Sequence, residues 1–337
     1  MTKPIHRQDA RLLTRGSLLR SNHSSAARPP CVSILAPVIL GLSLLVPMNA
    51  VAASAELIPP SASQRVGQVL AERHVDQSAK WPGGVSRGLR DIFRDCASAV
   101  PFVIARRGTG SSVVVHVDRT SGSGFLVTNH HVVESAFINE KNGVRFVVLV
   151  FYEPALATGT YDPSRVAKCL TTTDESAWCA TLRGVTRPGV VVASDPGRDL
   201  ALVAIQNVPG SVRPIPSGTL DAVRSGDDVI VIGHPLGYLW SITTGIVSAI
   251  RSNFPMSPSS ADATVVQTQT PINPGNSGGP LLTSDGQLIG VIFGARTVRA
   301  ANQNPDANIR VPASGINFAI GVNDVQDFVS KPMSRPR

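Results

Sequence analysis

From residue 100 onward the chain alternates short apolar runs with clusters of turn-forming residues. The runs are rich in β-branched side chains, which is typical of strands separated by tight turns. Twelve segments are predicted as strands: Val100–Ile104, Ser112–Val117, Gly124–Thr128, Val144–Phe151, Val190–Ala193, Leu200–Ile205, Asp228–Ile232, Gly245–Ile250, Thr264–Gln267, Pro280–Thr283, Gln287–Phe293 and Ile316–Ile320. About 230 residues in this pattern exceed one barrel and suit two, so an all-β fold is predicted.

A helical pattern is confined to the ends of the chain. Weak helical spacing occurs within residues 56–96, with apolar Leu89, Ile92 and Phe93 forming the last predicted turn of helix. A terminal helix is predicted over Asn323–Val329, where apolar side chains recur at helical spacing.

The segment from Glu153 to Pro188 interrupts the strand rhythm with polar and turn-forming residues. It contains Cys169 and Cys179, and their spacing predicts a local disulfide that pins a long inserted loop or hairpin. Cys96 is then a single cysteine, for which packing as a small hydrophobic side chain is expected. No cysteine pair has C-x-x-C spacing with companion histidines, so no metal site is predicted.

The N-terminus has the order of an export signal. A basic segment over residues 1–30 runs into an apolar stretch, Val32 to Met48, and then into small residues that end at Ala55. We predict a signal peptide over residues 1–55, with an uncleaved membrane anchor as the alternative. Both readings place the rest of the chain outside the cytoplasm, in the periplasm or the extracellular space.

Charge changes the picture little. The formal net charge is +8, but residues 1–30 hold six Lys or Arg and one Asp, which gives +5 and leaves 8 − 5 = +3 for the remainder. That remainder has no basic stripe with interleaved aromatic residues, so nucleic-acid binding is not expected. The apolar content of 42% and the charged content of 16% are typical of a globular protein.

Candidate chemistry lies in the sequence Asn273 to Leu281. Ser277 is flanked by Gly275, Gly278 and Gly279, and it precedes the strand that begins at Pro280. Glycines on both sides allow positive φ and bring two amide N–H groups close together, as an oxyanion hole requires. A glycine-rich turn without chemistry is the alternative at this point.

A serine nucleophile needs a base and an acid that orients the base. His130 and His131 lie at the end of a predicted strand, and spacing alone does not choose between them. Asp199 directly precedes an apolar strand, whereas Asp195 beside a Pro-Gly pair is expected to be a turn residue. Histidine, aspartate and serine therefore occur in that order along the chain.

Three segments resemble the active-site segments of HtrA-type (DegP-like) trypsin-fold serine proteases. They are Asn129-His130-His131-Val132-Val133, Asp199-Leu200-Ala201-Leu202 and Gly275-Asn276-Ser277-Gly278-Gly279-Pro280-Leu281. The resemblance continues, in collinear order, through residues 122–125, 232–237, 244–248, 288–291 and 315–320. It therefore covers about residues 97–325.

The resemblance implies a fold of two six-stranded antiparallel β-barrels of the chymotrypsin/trypsin type. A short helical N-terminal appendage over residues 56–96 and a C-terminal helix complete it. The protease domain is expected over residues 97–330, with the first barrel over about 97–210 and the second over about 211–330. The family's active site lies in the cleft between the barrels.

The resemblance also implies roles for single residues. His131, and not His130, is the expected base, and Asp199 is expected to orient it. Ser277 is the expected nucleophile, and the backbone N–H groups of Gly275 and Ser277 are expected to form the oxyanion hole. This chemistry needs no cofactor.

In this fold the primary specificity pocket is walled by the segment about six residues before the nucleophile and by the strand after Leu288. The corresponding residues here are Pro271 and Ile272, together with Phe293, Gly294, Ala295, Gly315, Ile316 and Asn317. They include no Asp or Glu, so a small or medium apolar residue is expected before the cleaved bond. The resemblance further implies protein or peptide substrates, unfolded proteins among them, and homotrimers formed through residues ahead of the first barrel.

The sequence departs from the family at several points. Gln269 stands where an acidic residue is common, Pro271 stiffens a loop that the family uses in switching, and His234 stands where Asn is frequent. A packed or surface histidine is the expected role of His234. The usual C-terminal PDZ module is not expected to follow, and the Glu153–Pro188 segment lengthens the spacing between base and acid.

The leading hypothesis from the sequence is a secreted serine endopeptidase. A catalytically silent trypsin-fold binding or chaperone protein stays open as the alternative, although all three triad residues are present. An α/β-hydrolase esterase is excluded, because its residues follow the order Ser, Asp, His, whereas Ser277 comes last here.

Overall fold

The computed structural model describes residues 88–158, 161–256, 262–299 and 310–331. The predicted export signal and the first part of the predicted N-terminal extension, up to residue 87, lie outside these residues. In the part of the chain described, no helix has the length and apolar character needed to cross a membrane.

Two antiparallel sheets form the body of the protein, the first from β1–β8 and the second from β9–β14. The strands are β1 Phe102–Ala105, β2 Gly108–Ser111, β3 Val113–Asp118, β4 Ser123–Thr128, β5 Phe137–Ile138, β6 Arg145–Val150, β7 Thr186–Asp195, β8 Leu200–Ile205, β9 Asp228–Gly233, β10 Ser241–Pro255, β11 Asp262–Thr268, β12 Pro280–Thr283, β13 Leu288–Arg299 and β14 Arg310–Gly321. The predicted all-β, two-lobed fold is thus confirmed.

The first lobe differs from the expected six-stranded barrel. It is an eight-stranded sheet in the order β2-β1-β6-β7-β8-β4-β3, with β5 paired to β6. Its two edge strands, β2 and β3, are separated along the chain by Ser112 alone. Two additional strands account for the number of eight: β2 is built from Gly, Thr and Ser, which have little strand signal, and β5 has only two residues.

The second lobe is a closed six-stranded barrel in the order β10-β11-β14-β13-β12-β9, as predicted. The short strand β12 lies between β9 and β13, and Leu281 pairs with Val231 on one side and Gly290 on the other. Leu281 is fully buried. The residues directly before β12, which include Ser277, are thereby fixed to the barrel wall.

Six α-helices occur in the described residues. They are α1 Leu89–Cys96, α2 His130–Val133, α3 Pro154–Ala157, α4 Pro163–Thr171, α5 Ala177–Val185 and α6 Val322–Ser330. The first and the last agree with the helical patterns at the two ends of the sequence. In α6, the buried side chains are Val322, Val325, Phe328 and Val329.

The prediction of a loop or hairpin between Glu153 and Pro188 is wrong, because this segment contains α3, α4 and α5. Polar residues act here as helix caps: the Asp162 carboxylate accepts from two backbone N–H groups at the start of α4, and Ser176 caps α5. The predicted disulfide between Cys169 and Cys179 is confirmed, and it joins α4 to α5 with both cysteines buried.

Candidate active site

The base and the acid predicted from the sequence meet in the first lobe. His131 lies in α2, directly after β4, and Asp199 directly precedes β8, which pairs with β4. The Nδ1 atom of His131 lies 2.7 Å from Oδ2 of Asp199, and the backbone N–H of His131 donates to Oδ1 at 2.9 Å. Two contacts from one carboxylate therefore fix both the ring and the backbone of His131.

The backbone of Asp199 is held in a conformation that is rare for a residue with a side chain. Its φ is 54°, in the left-handed region. Its carbonyl oxygen accepts from Nδ2 of the buried Asn129 at 2.9 Å and from the backbone N–H of His130 at 3.2 Å. Asn129 is a positioning residue that the sequence analysis did not single out, since its strand-end context gave no separate signal.

The structure distinguishes the two adjacent histidines. His130 is hydrogen-bonded through Nδ1 to the hydroxyl of Ser194 in β7, whereas His131 contacts Asp199. His131 is also the more exposed of the two, with 46% of its side chain accessible to solvent. The expectation that Asp195 is a turn residue is wrong: Asp195 is the last residue of β7 and pairs with Leu200, and its carboxylate accepts from the backbone N–H of Arg198 in the turn that follows.

The predicted nucleophile lies in a tight turn before β12. The backbone N–H of Asn276 donates to Asn273, and that of Gly279 donates to Asn276. Two positive-φ glycines allow this turn to pack closely: a Cβ on Gly275 would lie 2.2 Å from the carbonyl oxygen of His234. A Cβ on Gly278 would lie 2.1 Å from the carbonyl oxygen of Ser111, so no other residue type fits either position.

The hydrogen bonds of this turn determine where its amides point. The Pro274 carbonyl accepts from the backbone N–H of Leu236 at 2.7 Å. Because a trans peptide is planar, the N–H of Gly275 points away from Leu236. Within the described residues, neither the N–H of Gly275 nor that of Ser277 donates to an acceptor. The two amides are therefore available for an anionic oxygen.

Strand β2 connects the two lobes at the site. The backbone N–H of Ser111 donates to the carbonyl of Ser277 at 2.8 Å, across the lobe boundary. A Cβ on Gly110 would lie 2.8 Å from Val132, next to His131, and 3.0 Å from the Ser277 carbonyl oxygen. The segment that carries His131 and the loop that carries Ser277 thus pack against the same glycine. Sequence reasoning missed β2, whose only signal is its run of small residues.

The predicted specificity segments lie opposite each other on neighbouring strands. Ala295 in β13 pairs with Asn317 in β14, and the buried Asn317 donates through Nδ2 to the Thr270 carbonyl at 2.7 Å. Thr270 lies seven residues before Ser277 along the chain. The ring of Phe293 stacks on Phe318, with 6.1 Å between the centroids. Asn317 therefore connects these segments to the residues that lead into the loop carrying Ser277.

Three departures from the family pattern are also placed by the structure. Gln269 and Pro271 are exposed. A Cβ placed on Gly315 would lie 3.7 Å from its nearest neighbour, the Cβ of Gln269. His234 is fully buried, which agrees with the packed role expected for it. No cluster of three or more His, Cys, Asp or Glu side chains suited to a metal ion occurs among the described residues.

Comparison with known proteins supports the resemblance of the sequence motifs to those of serine proteases. The chain is 37% identical to serine protease PepD of Mycobacterium tuberculosis over 157 residues, which cover 45% of this chain and 32% of PepD. It is 32% identical over 225 residues to periplasmic serine endoprotease DegP of Escherichia coli strain K12, covering 66% of this chain and 35% of DegP. The chain thus spans about a third of the length of these relatives.

A solved structure described as HtrA-type protease AlgW with tripeptide has a TM-score of 0.48 and 23% identity, covering 73% of this chain and 64% of that one. The resemblance to HtrA-type proteases is confirmed by the named relatives. The family model described as trypsin-like peptidase domain matches residues 108–291, which is more than half of the 337 residues. This protein therefore belongs to the family of trypsin-like peptidase domains.

Proposed function

We propose that the protein is a serine endopeptidase that hydrolyses peptide bonds with His131, Asp199 and Ser277. The observation that carries the proposal is the pairing of His131 with Asp199, beside a Ser277 loop that has two unused amide N–H groups. The sequence similarity to proteins named serine proteases points to the same reaction.

The mechanism follows from these positions. His131 takes the hydroxyl proton of Ser277 as the oxygen attacks the substrate carbonyl carbon, and Asp199 keeps the remaining imidazole proton on Nδ1. The N–H groups of Gly275 and Ser277 stabilise the negative charge that develops on the carbonyl oxygen. His131 then gives its proton to the leaving amine, and water releases the acyl group by the same steps.

The finer features of the function are part of the same proposal. The specificity segments carry no acidic residue, which favours a small or medium apolar side chain before the cleaved bond. The order of the N-terminal residues, together with the relative named as periplasmic, supports an exported protein that acts in the periplasm or outside the cell. We propose protein substrates, including unfolded chains in quality control, and a homotrimeric assembly.

A fluorophosphonate probe tests the reaction class. Wild-type protein should form a covalent adduct at Ser277 and cleave an unfolded protein, and Ser277→Ala should take no label. Turnover should fall by about 10⁴- to 10⁶-fold in Ser277→Ala and by about 10⁴-fold in Asp199→Asn, in which the imidazole tautomer is wrong. Folded wild-type protein that takes no label and cleaves nothing, but binds unfolded chains, would instead be the silent binding protein.

A further inference from the structure

His234 lies directly behind the loop that carries the proposed oxyanion hole. Its side chain is completely inaccessible to solvent, and it packs between the rings of Phe102 and Trp240, with centroids 5.0 Å and 5.2 Å away. Its Nδ1 atom lies 2.9 Å from the hydroxyl oxygen of Ser111. A polar side chain that is fully buried among aromatic rings costs free energy unless its bonds are satisfied, so this contact requires an explanation.

A count of protons gives the direction of each bond. The Ser111 hydroxyl lies 2.7 Å from the carbonyl oxygen of Gly275, which can only accept. Ser111 has one hydroxyl proton, and donation to Gly275 leaves its oxygen as an acceptor toward His234. The imidazole must therefore carry its proton on Nδ1. Its Nε2 atom is then an unprotonated nitrogen, and it has no hydrogen-bond partner among the described residues.

We propose that His234 is a positioning residue for the oxyanion hole. Its Nδ1–H orients the hydroxyl of Ser111, and that hydroxyl holds the Gly275 carbonyl so that the N–H groups of Gly275 and Ser277 face the substrate. The inference rests on the proposed function, because it assigns a role in the same site.

The hydrogen bonds from His234 to Ser111 and from Ser111 to the Gly275 carbonyl form a relay. The surroundings of the ring explain why this relay keeps one direction. Burial lowers the pKa of His234 to about 3, so the ring is neutral at physiological pH and has a single N–H to give. The Gly275 carbonyl is held by Ser111, and the preceding Pro274 carbonyl is held by the N–H of Leu236, two residues after His234. The chain around His234 therefore fixes the peptide units on both sides of the Gly275 α-carbon.

The first test is independent of activity. In Ser277→Ala protein at pH 7, ¹⁵N-edited NMR of the imidazole rings should show His234 protonated at Nδ1 and unprotonated at Nε2. The opposite tautomer would overturn the proposal, because Ser111 would then donate to His234 and leave the Gly275 carbonyl without its donor.

The second test uses the kinetics of peptide hydrolysis. Ser111→Ala and His234→Leu should each lower kcat by about 10- to 100-fold, less than the loss of an oxyanion-hole donor itself, and should change KM by less than about threefold. The double variant should be no worse than the poorer single one, because both changes break the same relay. His234→Asn, whose amide can also donate, should retain more activity than His234→Leu.

Ser112→Ala is the matched control. Its hydroxyl is also fully buried and also donates to a backbone carbonyl, that of Pro101, but it lies outside the relay. Its kcat should stay within about threefold of wild type. Equal losses in Ser111→Ala and Ser112→Ala, or additive effects of Ser111→Ala and His234→Leu, would overturn the proposal. If wild-type protein neither takes a fluorophosphonate label nor hydrolyses peptide, the proposed function fails, while the tautomer measurement still decides the relay.

Discussion

Single residues at this site are held by several contacts each, which keeps otherwise costly conformations in place. Asp199 has a left-handed backbone, and its carbonyl and carboxylate oxygens accept four hydrogen bonds from Asn129, His130 and His131. Such a backbone costs on the order of 1 kcal/mol and persists only where the surroundings determine it. The orientation of the His131 ring is thus fixed before a substrate arrives.

The buried imidazole of His234 makes stability depend on pH. The pKa of His234 is about 3 in the folded protein because of burial, against 6.5 as its ordinary value. The unfolded chain therefore binds the proton first on acidification. The contribution of His234 to the free energy of unfolding is fully present above pH 6.5 and is lost toward pH 3, by about 1.4 kcal/mol per pH unit.

Urea unfolding of wild type and His234→Leu at a series of pH values measures this contribution. The stability advantage of wild type over the variant should shrink as the pH falls from 7 to 4, because only wild type has an imidazole that must stay neutral. An advantage that is constant over this range would show that the buried ring is not responsible.

At the scale of elements, the long inserted segment shows how local capping decides secondary structure. Its polar residues indicate turns when read along the sequence, yet Asp162 and Ser176 begin two helices. Arg183 in α5 donates to the carbonyls of Cys169 and Asp174, so the side chain of one helix closes the end of the other. The helix pair packs against the outer face of the first sheet through a separate buried cluster that includes Leu182 of α5 and Phe102 of β1.

The disulfide between α4 and α5 should stabilise this pair chiefly by restricting the unfolded chain. The cross-link closes a loop with a sequence separation of 10, for which the expected contribution is about 2–3 kcal/mol. Replacing Cys169 and Cys179 together by Ala should lower the free energy of unfolding by this amount in urea. Wild type with a reductant should lose a similar amount, whereas the double variant should not respond to the reductant.

Most of the strands, and the helix at the C-terminus, could be predicted from the hydrophobic pattern of each segment. Leu200–Ile205 and Pro280–Thr283 have the bounds that the apolar pattern indicates, because each run is buried along most of its length and ends at turn residues. Strand β2 has no such pattern. Gly110 occupies it because Val132 and the carbonyl of Ser277 approach closely, and that need arises only in the folded molecule.

The residues of the proposed triad are marked by short motifs, whereas the residues that support them are not. His131, Asp199 and Ser277 each stand in a recognisable segment. Ser111 and His234 contact each other across 123 positions of sequence, and nothing local marks their pairing. Contacts between distant segments depend on how the lobes meet, which the hydrophobic pattern of each segment does not determine.

At the scale of the whole molecule, two sets of contacts join the lobes. In the first, the backbone N–H of Ser111 in β2 donates to the carbonyl of Ser277. In the second, the guanidinium of Arg198, whose side chain is 9% exposed, contacts Asp195 of the first lobe at 2.8 Å. It also contacts Asp327 in α6 at 2.7 Å and Asp324 at 3.4 Å. Asp324 in turn accepts from the backbone N–H of Thr264 in β11, in the second lobe.

Loss of this arginine should therefore destabilise the protein more than loss of an ordinary surface charge. Arg198→Met keeps the apolar stem but leaves the Asp195, Asp324 and Asp327 carboxylates without their shared cation. Removing one partner of a buried ion pair costs about 3–5 kcal/mol, and the partial exposure of the carboxylates reduces the expected loss to about 2–3 kcal/mol. Lys331→Met is the matched control, because it removes an exposed partner of Asp327 and should cost less than about 1 kcal/mol.

The dependence of this loss on pH identifies its origin. For Asp195, bonds from Arg198 outweigh the effect of burial and hold the pKa below its ordinary value of 3.8. For Asp327, contacts with Lys331 and then Arg198 also lower the pKa. Carboxylates of this kind stabilise the fold above pH 3.8, and their contribution is lost as the pH falls through their lowered values. The stability difference between wild type and Arg198→Met in urea should thus be largest near pH 7 and narrow below pH 4. A difference that equals that of Lys331→Met, or that persists unchanged in acid, would mean that Arg198 does not join the lobes through its charge.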